Sequence, residues 1–309
     1  MKIDKSRICF VSAKAKNDEY FDGIAKMGYR ILIPYKDWNI IMRCLREAWF
    51  RLKLPKRSIW YNSKISKVHA DMFIVKDPLI VPEFLGWMRK NHPQSRIILN
   101  YNNRAAMSIN PDKVSNKVAE KWSYDKDDCE KYNMKLKHGS YMDIYRIKKL
   151  GRPVIDVLYL GRDKGRANML FDLKRQLEHM GLKTYFHICA DRKFQRYKKP
   201  YYKPILPYQD YLRLMRKSRS ILNIVQPGQT SITMREYEAV FNNVKCITNN
   251  PAIREFELYH PSRYFILGID DMKTIQEFFK KEFMPVEEEK LEEYKFDAMV
   301  AQFLNEETS

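Results

Sequence analysis

The residues best placed to do chemistry lie between Val225 and Ala239, in the string Val225-Gln226-Pro227-Gly228-Gln229-Thr230-Ser231-Ile232-Thr233-Met234-Arg235-Glu236-Tyr237-Glu238-Ala239. A branched apolar run, Ser220 to Val225, precedes it and has the composition of a buried strand. Pro227 and Gly228 end that strand, and the hydroxyl residues Thr230, Ser231 and Thr233 follow where a helix would begin. A helix start offers unpaired N–H groups and the positive end of its dipole, which suits a phosphate. Arg235 adds a fixed positive charge, and Glu238, one turn further on the same face, could accept two sugar hydroxyls. Lys245 to Thr248 reads as the next strand, so the segment is strand, phosphate-ready turn, helix, strand. The plain alternative is that the hydroxyls are ordinary N-caps and that Arg235–Glu238 is a surface ion pair.

The elements needed to hold such a turn recur along the chain. Arg7 to Ser12 reads as a buried strand, followed by the polar turn Ala15-Lys16-Asn17-Asp18. A helix runs from Glu19 to Met27 and closes at Gly28, and a second strand covers Tyr29 to Ile33. Strands are also expected over Ala70–Val75 and Arg96–Tyr101, a helical face through Phe84, Leu85 and Met88, and one more strand near Lys121–Asp125. After a linker at Leu150-Gly151-Arg152-Pro153 the pattern restarts. A strand from Val154 to Leu160 leads into the turn Gly161-Arg162-Asp163-Lys164-Gly165-Arg166 and a helix to Met180. A strand over Thr184–Cys189 and a helix over Tyr208–Lys217 come next. The pattern predicts an α/β protein of two Rossmann-like domains facing across a cleft. Residues 1–150 form one domain and 151–284 the other, while 285–309 form a single C-terminal helix with the option of returning to the first domain.

Composition bounds the function. At 309 residues, 45% hydrophobic and 13% aromatic, the chain can bury two cores, and disorder is not its default. Five scattered cysteines give neither a disulfide framework nor metal-ligand spacing, which places the protein in a reducing compartment. No stretch has the ~20 apolar residues of a membrane span, nor the start a signal peptide. A cytoplasmic protein, soluble or peripheral at the inner face of the membrane, is expected. The net charge is +19, and it is uneven: residues 1–150 carry 31 Lys/Arg against 16 Asp/Glu, a net +15. That half should face a polyanion or an anionic surface. Within it, Trp38 to Arg57 sets Trp38, Ile41, Met42, Leu45, Ala48, Trp49 and Leu52 on a helical stripe. Arg43, Arg46, Arg51 and Lys53 fall mostly off the stripe. This pattern fits a helix lying in an anionic membrane interface, or alternatively a packed surface helix with a solvated basic side.

The C-terminal half resembles the donor domain of GT-B glycosyltransferases. The string from Gln226 to Thr248, with its Gln-Pro-Gly-Gln-Thr, Thr-Met-Arg and Glu-Ala elements, is similar to small enzymes of bacterial lipopolysaccharide-core and capsular-polysaccharide synthesis. Core rhamnosyltransferases share its lysine-rich, glycine-poor composition. The resemblance implies a nucleotide-diphosphate sugar (dTDP-rhamnose or a UDP-hexose) on the second domain. It implies a phosphorylated, lipid-linked saccharide acceptor on the first. Glu238 then corresponds to the ribose-binding glutamate. Thr230 stands where the commoner pattern has a second glutamate, which leaves retention or inversion open. Gln226, Thr230, Ser231 and Thr233 look like donor ligands, and Gly161, Arg162 and Lys164 match the turn that neutralises the leaving diphosphate. No cofactor or metal is expected, because cations and N–H groups can stabilise that charge themselves.

An inverting transfer needs a base for the acceptor hydroxyl. Asp18, at the head of the first helix, is the first candidate and Asp77 the second. Their plain alternatives are an N-cap and a pre-proline turn. Two other functions compete: a basic nucleic-acid-binding protein, which lacks any recognition-helix, zinc or aromatic RNP pattern, and a non-catalytic sugar-nucleotide-binding module. No nucleic-acid partner is therefore expected.

Overall fold

A computed structural model of the chain describes residues 3–14, 18–77, 82–148, 151–226 and 228–305. Pro227 of the donor string, Ala15 to Asn17 of the first turn, Pro78 and Leu150 lie outside the described residues. The chain divides into two compact units, Met1–His138 and Gly139–Ser309.

The first unit contains β1 (Ile8–Val11), α1 (Glu19–Lys26), β2 (Arg30–Leu32), α2 (Ile40–Arg51), β3 (Met72–Lys76), α3 (Pro82–Asn91), β4 (Arg96–Tyr101), β5 (Glu120–Ser123), α4 (Lys126–Tyr132) and β6 (Lys135–Leu136). Its strands form one parallel sheet in the order β2-β1-β3-β4-β5-β6. The inner strands are apolar along their length because both sheet faces are covered. Phe73, Val75, Ile97 and Leu99 pack with Phe84, Leu85 and Met88 of α3 and Cys129 of α4. The Asp18 carboxylate caps α1 by accepting from the Phe21 N–H, and Gly28, at φ +87°, ends it. The chain moves outward from β1 to β2, then returns to place β3 on the other side of β1. The first unit's switch point therefore lies between the carboxyl ends of β1 and β3, where an open α/β sheet leaves a crevice.

The second unit contains β7 (Ile155–Arg162), α5 (Ala167–His179), β8 (Thr184–Cys189), α6 (Tyr208–Arg216), β9 (Ser218–Asn223), α7 (Met234–Phe241), β10 (Lys245–Thr248), β11 (Tyr264–Ile266), α8 (Ile275–Lys280), α9 (Glu288–Glu292) and α10 (Phe296–Asn305). These strands are parallel too, in the order β11-β10-β9-β7-β8. Leu170, Leu173 and Leu177 of α5 and Phe278 of α8 fill one face with Val157, Leu222, Ile247 and Phe265. Burying one such side chain contributes about 1.5–3 kcal/mol. Here the switch point lies between β7 and β9. The turn after β7 and the loop after β9, the two stretches expected to hold a donor, emerge on either side of it.

Residues ahead of the Leu150–Pro153 linker pack within the second unit. The Ile147 N–H donates to Asn242 Oδ1 at 2.7 Å, Arg146 Nε to the Phe241 carbonyl at 3.1 Å, and Asn242 Nδ2 to the Tyr141 hydroxyl at 3.1 Å. The tail read as one helix is two. The Tyr141 N–H takes the Tyr294 carbonyl at 2.9 Å and its carbonyl accepts from the Phe296 N–H at 3.0 Å, so a single residue bridges both sides of the break.

Candidate functional site

In the second unit, the turn after β7 is tied across the sheet edge. The Lys164 N–H donates to both Asp191 oxygens, at 3.0 and 3.1 Å, and Arg162 Nη1 donates to the Asp191 carbonyl at 2.6 Å. Lys164 takes a left-handed φ of +48°, a conformation uncommon outside glycine and asparagine. Partial burial pushes its amine below the ordinary lysine range, and the like charges of Arg166 and Arg162 add to that. A side chain at Gly161 would meet the Tyr159 hydroxyl at 2.8 Å, so the turn hugs its own strand. Arg166, not anticipated from the sequence, spans the switch point. It donates to the Arg162 carbonyl at 3.1 Å, to the Tyr159 hydroxyl at 3.3 Å and to the Ile224 carbonyl beyond β9.

On the other side, the hydroxyl residues separate. Thr233 is the N-cap of α7 and shares a capping box with Glu236, whose carboxylate accepts from the Thr233 N–H. Thr230 and Ser231 lie upstream in the loop, not in the first helical turn. Asn250 Nδ2 donates to the Ser231 carbonyl at 3.2 Å and to Glu236 Oε1 at 3.3 Å. Asn249 Oδ1 accepts from the Val225 N–H at 2.7 Å, and the Gln226 carbonyl accepts from the Gln229 N–H at 3.0 Å. The loop is thus held by its backbone, leaving Thr230 exposed.

Glu238 is 1% exposed, and its carboxylate is already occupied. The Tyr208 hydroxyl donates to Oε1 at 2.6 Å, and Oε2 takes the Tyr211 hydroxyl at 3.0 Å and Arg235 Nη1 at 2.8 Å. The guanidinium of Arg235 also lies 4.0 Å over the Tyr211 ring and donates to the Leu160 carbonyl at 3.1 Å. Burial works against the charge on Arg235, but Glu238 outweighs it and the guanidinium stays protonated. Burial and the neighbouring carboxylate push the Tyr208 phenol up, so it remains a donor. Arg235 therefore faces the protein, not open solvent. A ribose reaches Glu238 only by displacing a tyrosine, and half-buried Tyr208 is the one nearer the surface. The sequence cue missed here was Pro207-Tyr208, the start of a helix whose tyrosines point at α7.

In the first unit, Asp18 and Asp77 come together at the switch point. Asp18 holds the Phe21 N–H at 3.0 Å. Asp77 is 2% exposed and accepts from the Asn102 N–H at 2.8 Å and Asn103 Nδ2 at 3.4 Å. It fixes the loop after β4, which leaves partly exposed Asp18 the better placed of the two for proton transfer. Lys76 senses both carboxylates, although burial is the larger influence and lowers its amine.

Helix α2 is turned differently from the sequence expectation. Trp38 and Trp49 pack edge-on to buried Trp60 at 5.0 and 5.9 Å, and Trp49 Nε1 donates to the Pro55 carbonyl at 2.8 Å. Arg46 belongs to that inner side, 4.4 Å over the Tyr35 ring. Solvent instead meets Ile40 (71% exposed), Ile41 (72%) and Leu52 (70%), with Arg43, Arg51 and Lys53 exposed beside them.

Metal independence was expected without weighing one triplet of Asp-X-Asp spacing, Asp125-Lys126-Asp127. Asp125 caps α4 through the Asp128 N–H at 3.0 Å and sits 3.6 Å from Arg104 Nε. Asp127 lies 3.9 Å from Arg104 Nη2. Among the described residues no group of three or more His, Cys, Asp or Glu could hold a metal ion. No described helix is long and apolar enough to cross a membrane.

No protein-family model matches the chain, and no curated protein matches it in sequence. Among solved structures it is similar to the lipopolysaccharide outer core galactosyltransferase WaaB in its apo form. That likeness spans 96% of this chain and 98% of the other, with a TM-score of 0.52 and 13% identity. The fold is GT-B. Two α/β units with parallel sheets of six and five strands are the architecture expected from the donor-like string.

Proposed function

We propose that this protein transfers a sugar from a nucleotide-diphosphate donor, bound by the second unit, to a saccharide acceptor bound by the first. The observation that carries this reading is the second sheet's switch point, where the Gly161–Arg166 turn and the Gln226–Thr233 loop flank one crevice. Arg162 and Lys164 would take the diphosphate, with Thr230 and Ser231 as further donors from the loop. As the anomeric C–O bond breaks, these cations meet the charge growing on the leaving group, which is where fixed donors lower a barrier most. Glu238 would receive the ribose once Tyr208 gives way. Asp18 would take the proton of the attacking hydroxyl. The fold it shares with a lipopolysaccharide outer core galactosyltransferase supports a lipopolysaccharide-type acceptor, and a dTDP- or UDP-linked sugar is the donor class we infer.

The exposed Ile40, Ile41, Leu45 and Leu52, interleaved with Arg43, Arg51 and Lys53, suit an anionic bilayer surface, as a lipid-linked acceptor requires. Hydrolysis of a nucleotide sugar in the absence of acceptor tests the catalytic reading against a non-catalytic binding module. A salt-sensitive shift of random oligonucleotides, without liposome binding, would favour a nucleic-acid partner instead.

A further inference from the structure

A polar layer closes the carboxyl end of the first sheet on the α1 side. Lys76 ends β3, and its register partner on β4 is Asn100, itself paired with Trp122 of β5. Side chains in one such row share a sheet face. The Lys76 ammonium lies 3.7 Å from the centroid of the Tyr20 ring on α1. Beyond β6, Lys137 is 5% exposed, and its ammonium donates to Asn102 Oδ1 at 2.8 Å. Among the described residues neither lysine forms an ion pair. Asp77 is engaged by Asn102 and Asn103, and Asp18 by the start of α1.

Two further polar groups lack partners. Asn100 is fully buried, with neither Oδ1 nor Nδ2 hydrogen-bonded among the described residues, and Asn102 Nδ2 is in the same position. Buried amides in folded proteins are nearly always satisfied, and buried ammonium groups are nearly always paired. Two ammoniums and two amide N–H groups converging on one sheet edge make a donor-only environment, apart from the Asn100 carbonyl. An oxyanion satisfies it, since each oxygen accepts charge-assisted bonds from several directions. We propose that Lys76, Lys137, Asn100 and Asn102 bind a phosphate group carried by the saccharide acceptor, seating its neighbouring hydroxyl beside Asp18. The placement rests on the acceptor reading of the first unit.

The test is calorimetric titration of the full chain with inorganic phosphate, then with glucose 6-phosphate and glucose. Lys76→Gln and Lys137→Gln are each expected to weaken phosphate binding about tenfold or more, the loss of one charge-assisted contact. Lys76→Arg should retain it, which separates lost charge from lost folding. Glucose 6-phosphate should displace phosphate, and glucose should not. Equal phosphate affinity in the wild type and both Gln variants would overturn the site, as would no binding to the wild type. Loss of phosphate binding in Arg162→Gln would move the anion to the second unit and overturn it equally. Free phosphate binding that glucose 6-phosphate cannot displace would overturn the acceptor assignment. Donor binding is measured separately, so its failure would remove the transferase reading and leave this site standing.

Discussion

The Tyr208 hydroxyl occupies Glu238 Oε1 at 2.6 Å, on the carboxylate that a donor ribose would need. Tyr208→Phe should therefore strengthen nucleotide-sugar binding several-fold, while removing a buried donor costs about 1–3 kcal/mol of stability. Glu238→Gln should weaken binding about tenfold. It is preferable to Glu238→Ala, which strands the Arg235 guanidinium beside an empty space, a loss of about 3–5 kcal/mol. Calorimetry with parallel melting curves separates affinity from folding. Undiminished affinity in Glu238→Gln would remove the ribose role and leave the carboxylate as the anchor of α6 on α7.

Asp18→Asn keeps an N-cap, because asparagine caps a helix about as well as aspartate. The melting temperature and donor affinity should hold while turnover falls by about 100-fold or more, the scale of a lost general base. A fully active variant would take Asp18 out of the chemistry.

Helix α2 gives a test in which its two sides behave differently. Arg43→Gln, Arg51→Gln and Lys53→Gln combined should reduce sedimentation with anionic liposomes, as should Ile40→Ser with Ile41→Ser. Arg46→Gln should change sedimentation little, because that guanidinium lies over Tyr35. Equal losses at Arg46 and Arg43 would mean that the helix does not meet the bilayer with the side described.

Burial pushes the Lys137 amine down to about 7 from an ordinary 10.5, with Asp77 opposing the shift and Lys76 adding to it; Cys129 and Asn102 are its other neighbours. Between those values the unfolded chain holds a proton that the folded chain does not, so stability from this group rises with pH from about 7 to about 10.5. Below about pH 7 the whole cost of the buried charge is present. Lys137→Met should therefore raise the melting temperature by several degrees near pH 6 in phosphate-free buffer, with the gain fading toward pH 10. A gain that does not vary with pH would show that packing, not charge, is responsible.

Much of the fold was legible in the chain because buried parallel strands announce themselves. The observed bounds of β4, β8 and β10 are Arg96–Tyr101, Thr184–Cys189 and Lys245–Thr248, as read from their apolar runs. Periodicity groups the side chains of α2 into stripes, but which stripe turns inward depends on Trp60, outside the helix and invisible to its spacing. The break between α9 and α10 depends on Tyr141, far away in sequence. The Thr233-Met234-Arg235-Glu236 string carried a capping-box signal that was read only as phosphate chemistry. The burial of Lys137 left no local signal, since its neighbours Lys135 and His138 read as an ordinary solvated stretch.

The most direct test is calorimetric titration of the wild type and of Arg162→Gln/Lys164→Gln with UDP- and dTDP-sugars, followed by the guanosine and cytidine series. The account predicts that at least one nucleotide-diphosphate sugar binds the wild type and that the double variant loses about tenfold or more, with an unchanged melting curve. Wild-type protein that binds none of the four series, or a variant that binds as tightly as wild type, would contradict it.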